Sequence, residues 1–402
     1  MQLNKKITLP LAVIASTTFP MILNAASGSE VSAKQMSYQE SDDRVKVDYT
    51  LLDLKQEIGA DYTASISLSY DSISGGTPIW LDTYSGASGI AGEDGRIHTY
   101  NEDKTLDYGG IDWDNGGIPK TVSNYEVKNV EIEDQRRSVS ANLTKRTPSR
   151  DEITFGASYS KEEDFTSKEI SSSYLYNLDS SRNRSITVGV SYQKNEAYHL
   201  MYKDWKEFDV INAQIGYTHT FTKYTVGQIN LFNIHQSGDL SNAYQTILRD
   251  FSGEIWRAVE KRPDEKNSRG ITMNLVSKVF DNVAWHNDYR LYKDDWDVLS
   301  HTVSTGLHVD LPYKFTISPL LRYYTQTEAE FYKDYDEATP YFNETENGSS
   351  DERLGKYHSY AYNLTLGKKF TDLLSASVQY GHQTQSFGLK MDWVALGFNY
   401  SF

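Results

Sequence analysis

Residues 186–193 read Ile186-Thr187-Val188-Gly189-Val190-Ser191-Tyr192-Gln193. Apolar and small polar residues alternate with a period of two, which places them on opposite faces of one strand. One face ends in an aromatic residue; the other is Thr, Gly, Ser and Gln. The same pattern lies upstream in Ile153, Phe155, Ala157 and Tyr159, interleaved with Thr154, Gly156, Ser158 and Ser160. It recurs in Tyr62, Ala64, Ile66, Leu68 and Tyr70, interleaved with Thr63, Ser65, Ser67 and Ser69. Followed along the chain, it predicts about 16 strands: roughly 30–39, 44–54, 60–74, 133–145, 151–162, 165–178, 184–196, 206–221, 224–236, 267–280, 283–295, 297–311, 314–330, 356–370, 373–385 and 389–402. Val226 and Ile229 break parity around Gln228, which predicts a bulge there.

The connections sort by length. Every second one is short, as at 55–59, 146–150, 179–183, 222–223 and 312–313. Those between them include all the long ones: 75–132, 197–205, 237–266 and 331–355. Short turns at one end and long loops at the other are the layout of an all-β, antiparallel transmembrane β-barrel of the bacterial outer membrane. Closure removes the sheet edges that hydrocarbon would not tolerate. The chain ends Val394, Leu396, Phe398, Tyr400, Phe402 on one face of the last strand. Phe398, Tyr400 and the terminal Phe402 fit the signal read by outer-membrane assembly machinery. The expected partners are therefore that machinery, outer-membrane lipid and lipopolysaccharide.

Composition agrees. The 402 residues include 30 Tyr and 7 Trp, yet the hydrophobic fraction is only 38% and mean hydropathy is -0.59. Beyond the N-terminus no apolar run approaches the ~18 residues of a membrane helix. Cys is 0, which excludes disulfides, thiolate metal sites and thiol catalysis. Net charge is -15, a poor basis for nucleic-acid binding. Lys5 and Lys6, an apolar stretch from Ile7 to Leu23 and small residues at Ala25-Ala26 read as a secretory signal peptide over 1–26. The expected domain plan is a cleaved leader followed by a barrel over 27–402.

With the apolar face toward lipid, the polar face lines the lumen. The expected inward set includes Lys46 and Asp48, Arg136, Lys278, His286, Asp288, Arg290, His308, Asp310 and Arg322. Lys46, Asp48, Asp288, Arg290 and Arg322 are the candidate lumen and selectivity residues. At mid-depth facing lipid, each Arg or Lys would cost roughly 2–4 kcal/mol. Gly156, Gly189, Gly216, Gly306 and Gly367 leave room inside. A barrel of this size is too wide for side chains to fill. The connection 75–132 is the candidate filler, the alternative being a mobile external loop. It and loop 331–355 hold most of the acidic excess, which predicts an acidic outer rim.

No local motif for catalysis emerges. Ser300 and His301 are neighbours in one strand and point to opposite faces. Asp112-Trp113-Asp114-Asn115-Gly116 resembles the start of a calcium loop, but Gly116 occupies the third ligand position and no Glu follows at the required spacing. Gly86, Gly89 and Gly92 lack the Lys-Ser/Thr of a phosphate loop. No catalytic, cofactor-binding or metal residues are assigned, and no cofactor is expected.

Two stretches carry a family resemblance. The first runs from Tyr38-Gln-Glu-Ser-Asp-Asp-Arg-Val-Lys-Val47 to Asp71-Ser-Ile-Ser-Gly-Gly-Thr-Pro78 and Ser85-Gly-Ala-Ser88. The second is Arg262-Pro-Asp264, Tyr289-Arg-Leu-Tyr-Lys-Asp-Asp-Trp296, Ser300-His-Thr302 and Arg322-Tyr-Tyr-Thr-Gln326. The chain resembles the bacterial domain-of-unknown-function family 3570, with Gly76 a mild departure. The resemblance implies an exported outer-membrane protein and a redox-linked envelope setting; it supplies no site residues. The leading functional expectation is a passive or weakly selective channel for small solutes or ions. The alternative is a non-conducting barrel that acts as scaffold or docking partner for another envelope protein.

Overall fold

Sixteen antiparallel strands close into one barrel in the computed structural model, which describes residues 28–41, 44–82, 90–91, 97–100, 106–107, 125–199 and 203–402. The barrel strands are β1 (Glu30–Glu40), β2 (Val45–Ile58), β3 (Tyr62–Asp82), β4 (Tyr125–Arg146), β5 (Glu152–Lys161), β6 (Phe165–Asn177), β7 (Arg184–His199) and β8 (Asp204–Thr222). They continue as β9 (Thr225–Gly238), β10 (Glu265–Phe280), β11 (Val283–Asp294), β12 (Leu299–Leu311), β13 (Phe315–Gln326), β14 (Tyr357–Lys369), β15 (Leu374–Gln385) and β16 (Lys390–Ser401). Each pairs with its successor, and β1 closes on β16 from Glu30 opposite Ser401 to Glu40 opposite Met391. At that seam the Phe402 N–H donates to the Ser29 carbonyl at 2.9 Å.

Alternation decides what each face meets. Outside, Phe155, Ile170 and Leu321 are each more than 60% exposed, among a belt of Leu, Val, Ile and Tyr. Leaving such side chains in water forfeits ~1.5–3 kcal/mol apiece; hydrocarbon removes that cost. Phe221, Phe280, Tyr313, Phe315, Phe370 and Phe402 crowd the short-turn end. Toward the long-loop end the outer face turns polar: Lys194 pairs with Glu207 at 2.8 Å, and the Tyr380 hydroxyl donates to Asp392 at 2.7 Å. An apolar band edged by aromatic and then charged residues is the exterior of an outer-membrane-type barrel.

The register corrects three expectations. β3 and β4 stay paired as far as Asp82 opposite Tyr125, so both ends of the connection read as 75–132 belong to the wall. What remains, with the filling role given to it, lies outside the described residues apart from Ile90–Ala91, Ile97–Tyr100 and Leu106–Asp107. So do the leader over 1–26 and the Asp112–Gly116 turn. Second, β9 pairs with β10 in unbroken register from Thr225 to Ser237, so there is no bulge at Gln228. The irregularity sits in the preceding strand, between Thr220 and Thr222.

The third concerns Lys46 and Asp48. β2 runs against β3 without a break from Val45 to Ile58, and Leu52, Leu54 and Ile58 face out. Lys46 and Asp48 share their parity and lie on the outer face, their side chains 3.6 Å apart and about half exposed. Val47 and Tyr49 point inward instead. Their apolar character follows from an inner neighbour, the loop described next.

Candidate functional site

Most of the fully buried side chains of the described chain, and all the apolar ones, are in loops. Ile247, Leu248, Thr246, Phe342, Ser349 and Ser350 are all at most 1% exposed. The loop between β9 and β10 folds as a hairpin, Thr246–Phe251 against Glu254–Val259, turning through Ser252 and Gly253 at positive φ. Tyr341–Asn343, from the loop between β13 and β14, adds a third strand parallel to the first. Leu248 packs with Ile255, Tyr335 and Tyr341. Trp296, Val298, Ala329, Phe331 and Leu354 form a second cluster.

This insert crosses the barrel mouth. On one side Leu240 joins the Trp296 cluster together with Tyr292, an inward residue of β11. On the other, Ala243 and Tyr244 pack on Val47, with Tyr38, Val45 and Tyr49 around them. β2 is diametrically opposite β10 in the ring of sixteen. Arg44, in the β1–β2 turn, reaches Glu352 at 3.0 Å and fastens the second loop to the same side. The lumen is therefore covered at its long-loop end by residues 239–264 and 327–356.

Buried charge holds the two loops together. Arg262 contacts Glu260 at 2.6 Å and Asp351 at 2.9 Å, and Arg353 contacts Asp351 at 2.6 Å. Glu260 also accepts from the Asn242 N–H at 2.5 Å and the Ser349 hydroxyl at 2.5 Å. Burial alone would push the Asp351 carboxyl up; the guanidinium groups of Arg353 and Arg262 override it and hold it well below the ordinary carboxylate range. The Arg249 guanidinium donates to the carbonyls of Asn343 at 2.8 Å and Glu346 at 2.7 Å. The acidic excess read in 331–355 is thus partly spent inside the insert rather than displayed on a rim.

Beneath it, Asp288, Arg290 and Arg322 face the lumen. Their parity opposes the outward Trp285, Val303 and Leu321. Asp288 and Arg322 are level, each opposite Ser304 of β12. Asp288 and Arg290 do not pair. Asp288 accepts a hydrogen bond from the Asn274 amide, while Arg290 lies over the rings of Phe232 at 5.1 Å and Tyr292 at 5.6 Å. Gly270 makes room for that Phe232 ring, because a Cβ there would sit 2.5 Å from it. Arg322 lies over Tyr324 at 6.0 Å. Neither arginine carries an ion pair in the described chain. Where the glycine readings expected open space, Gly216 is backed by the Asn230 amide, 2.2 Å from a would-be Cβ.

On the opposite wall charge has the other sign. The Asp71 side chain, wholly buried, accepts from Arg136 Nε at 2.9 Å. Asp134, Glu162 and Asp164 gather beside them, each offering a carboxylate oxygen within 4.8 Å of the others. No metal ligand was assigned from the sequence. The acidic run Glu162-Glu163-Asp164 was visible there, but only the strand register delivers Asp134 and Asp71 to it.

The model of the family described as proteins of unknown function (DUF3570) matches residues 7–393. The chain belongs to this family. Among curated proteins, none matches. Solved structures similar to this DUF3570 protein include the siderophore receptor PirA from Pseudomonas aeruginosa, at TM-score 0.42 and 9% identity over 90% of this chain. The chain spans 56% of that receptor's length. Others are the CymD monoaromatic hydrocarbon channel (TM-score 0.42, 8% identity, 93% of this chain and 88% of that one) and OmpTdeltaL8, a loop-deleted outer membrane protein of Vibrio cholerae (0.43, 6%, 93% and 98%). Likeness of this degree concerns barrel architecture and carries nothing about cargo.

Proposed function

We propose that this DUF3570 protein is an outer-membrane channel for small hydrophilic solutes or ions, occluded at its outer mouth by its own loops. The observation that carries this reading is the wall below the insert. Asn142, Thr154, Ser171, Ser173, Asn212 and Gln214 line a polar groove along β4–β8. Residues that can exchange hydrogen bonds with water suit a wet passage; a filled barrel would bury apolar side chains there. The long-loop end faces outward and the chain is exported with residues 1–26 removed. Lipopolysaccharide and the assembly machinery are its envelope partners, and no catalytic step is assigned to it.

Single-channel recording in planar bilayers tests the reading. Arg290 and Arg322 place two positive charges on the lumen wall without carboxylate partners among the described residues, so they favour anions locally. Partly exposed charge on a wet wall contributes little stability, about 0–1 kcal/mol. Arg290→Ala combined with Arg322→Ala is expected to fold normally and to move the reversal potential in a salt gradient toward cation preference. A conducting double variant with the wild-type reversal potential removes both residues from the permeation path.

A second reading is favoured by the insert itself. A mouth closed by a buried ionic network also suits a non-conducting scaffold for another envelope protein, redox-linked or otherwise. That reading expects no current even after the insert is removed.

Assembly supplies another expectation. Deleting Phe402 removes the terminal aromatic and its hydrogen bond across the seam. Outer-membrane levels should fall, with loss of the heat-dependent shift in electrophoretic mobility that closed barrels show. Unchanged levels and an unchanged shift would count against the terminal signal.

A further inference from the structure

Glu162 is the anomaly of the lumen wall. It sits in the tight β5–β6 turn, where its N–H donates to the Phe165 carbonyl at 2.7 Å, and its side chain is 1% exposed. Both carboxylate oxygens are buried and accept no hydrogen bond. Its one cationic neighbour among the described residues, Arg136 Nε, is 3.9 Å away and gives its hydrogen bond to Asp71. Asp134 is spent on one side only: Oδ1 accepts from the Gln135 N–H at 2.6 Å, while Oδ2 is buried without a partner. A buried ionised carboxylate is tolerated only when paired, hydrogen-bonded or bound to a metal.

Among the described residues, Asp71, Asp134 and Glu162 gather around the Arg136 guanidinium, with the Asp164 carboxylate beside them. Burial and the charge of Asp134 push the Glu162 carboxyl up to about 9 against the opposing pull of Arg136. A proton could therefore neutralise one member. The remaining oxygens still converge on one point from two elements, β4 and the β5–β6 turn. Their mutual spacing, within 4.8 Å, is short enough for one cation to reach all three with Ca–O bonds of about 2.3–2.6 Å. Oxygen-only donors of this kind suit a hard cation, and the wall beside them can supply water to complete the shell.

We infer that Asp134, Glu162 and Asp164 form a binding site for a hard divalent cation such as calcium, on the lumen wall at the long-loop mouth. Asp71 and Arg136 flank the site and hold it on the wall; they are positioning residues. The cation joins β4 to the β5–β6 turn between carboxylates of Asp134 and Glu162 that otherwise repel each other. This inference does not depend on the barrel conducting.

The test uses the full chain refolded into detergent free of lipopolysaccharide, whose phosphates would themselves take calcium. Titration calorimetry with calcium chloride should show one saturable site, with a dissociation constant of about 10⁻⁴–10⁻³ M. Glu162→Gln should weaken binding at least about tenfold, because a carboxylate ligand is lost. Asp164→Asn gives an independent variant should the first fail to fold, as judged by heat-dependent mobility. Calcium should also raise the melting temperature of the wild type alone. Absence of saturable binding up to about 10 mM calcium, or equal affinity in the folded variants, overturns the site. Stability that varies with pH but ignores calcium would assign the cluster to proton binding and overturn it likewise.

Discussion

A chain in which residues 243–261 are replaced by two or three glycines is expected to conduct several-fold better than the wild type. The geometry permits the excision. The Arg262 N–H donates to the Ser241 hydroxyl at 3.3 Å, so the cut ends already lie together. No barrel-strand hydrogen bond is lost, since β9 ends at Gly238 and β10 begins at Glu265. The buried contacts that go, those of Ile247, Leu248 and Trp256, belong to the insert's own core and not to the strand ladder. What disappears is the hairpin together with Ala243 and Tyr244, the contacts that carry the insert across to Val47. Conductance in planar bilayers is the measurement, with heat-dependent mobility as the check on folding. A folded barrel that passes no more current than the wild type would sink the occluded-channel reading and favour the scaffold.

The second large effect concerns Arg262. Replacing it with Ala leaves Glu260 as a buried carboxylate without its counter-ion and removes one of the two guanidiniums on Asp351. Breaking one side of a buried pair costs about 3–5 kcal/mol. The wall makes none of these contacts, so the loss should fall on the insert. Limited proteolysis should cut 239–264 or 327–356 in the variant under conditions that leave the wild type whole, with the barrel intact in both. Replacing Glu260 by Gln in the same chain removes the stranded charge and should restore much of the protection. Equal protease resistance in Arg262→Ala and the wild type would show that the ionic network does not hold the insert.

Asp351 adds a pH dependence with a definite sign. Its carboxyl is held below the unfolded value of about 3.9. A group depressed in this way stabilises the folded form above its unfolded value and loses that contribution as acid protonates it. The insert should therefore loosen as pH falls below about 4, before the wall, whose backbone ladder does not titrate. Acid-induced cleavage of the loops at unchanged heat-dependent mobility would show this. Asp351→Asn should abolish that acid dependence and open the insert at neutral pH as well.

The wall was legible in the sequence because period-two alternation records which side of a strand is apolar. It does not record why. Val45, Val47 and Tyr49 are apolar as Leu52 and Leu54 are, but they cover Tyr244 rather than lipid. Reading the apolar set as lipid-facing therefore inverted Lys46 and Asp48. The insert left a weaker trace. Ile247-Leu248 and Ile255-Trp256 flank Ser252-Gly253, a hairpin turn signal inside a stretch read only as a long loop. Phe342 and the Arg262–Glu260–Asp351 contacts join two loops remote in sequence, which no local pattern encodes. Arg290 and Arg322 could be placed on the inner face from parity; their aromatic neighbours Phe232 and Tyr324 follow only from register.

The seam where β1 meets β16 has a kinetic consequence. Fifteen of the sixteen strand pairings join chain neighbours, and each can form as a hairpin adds to a growing sheet. The last, Glu30 opposite Ser401, joins residues at the two extremes of the chain. Loop-closure entropy for so distant a contact is not offset until the final strand is in place. Until then β1 and the advancing edge both present unpaired amides, which hydrocarbon does not accommodate. Ring closure is therefore the last and slowest step of folding. Substitutions along the β1–β16 ladder should slow refolding far more than equal substitutions in a hairpin midway round the wall.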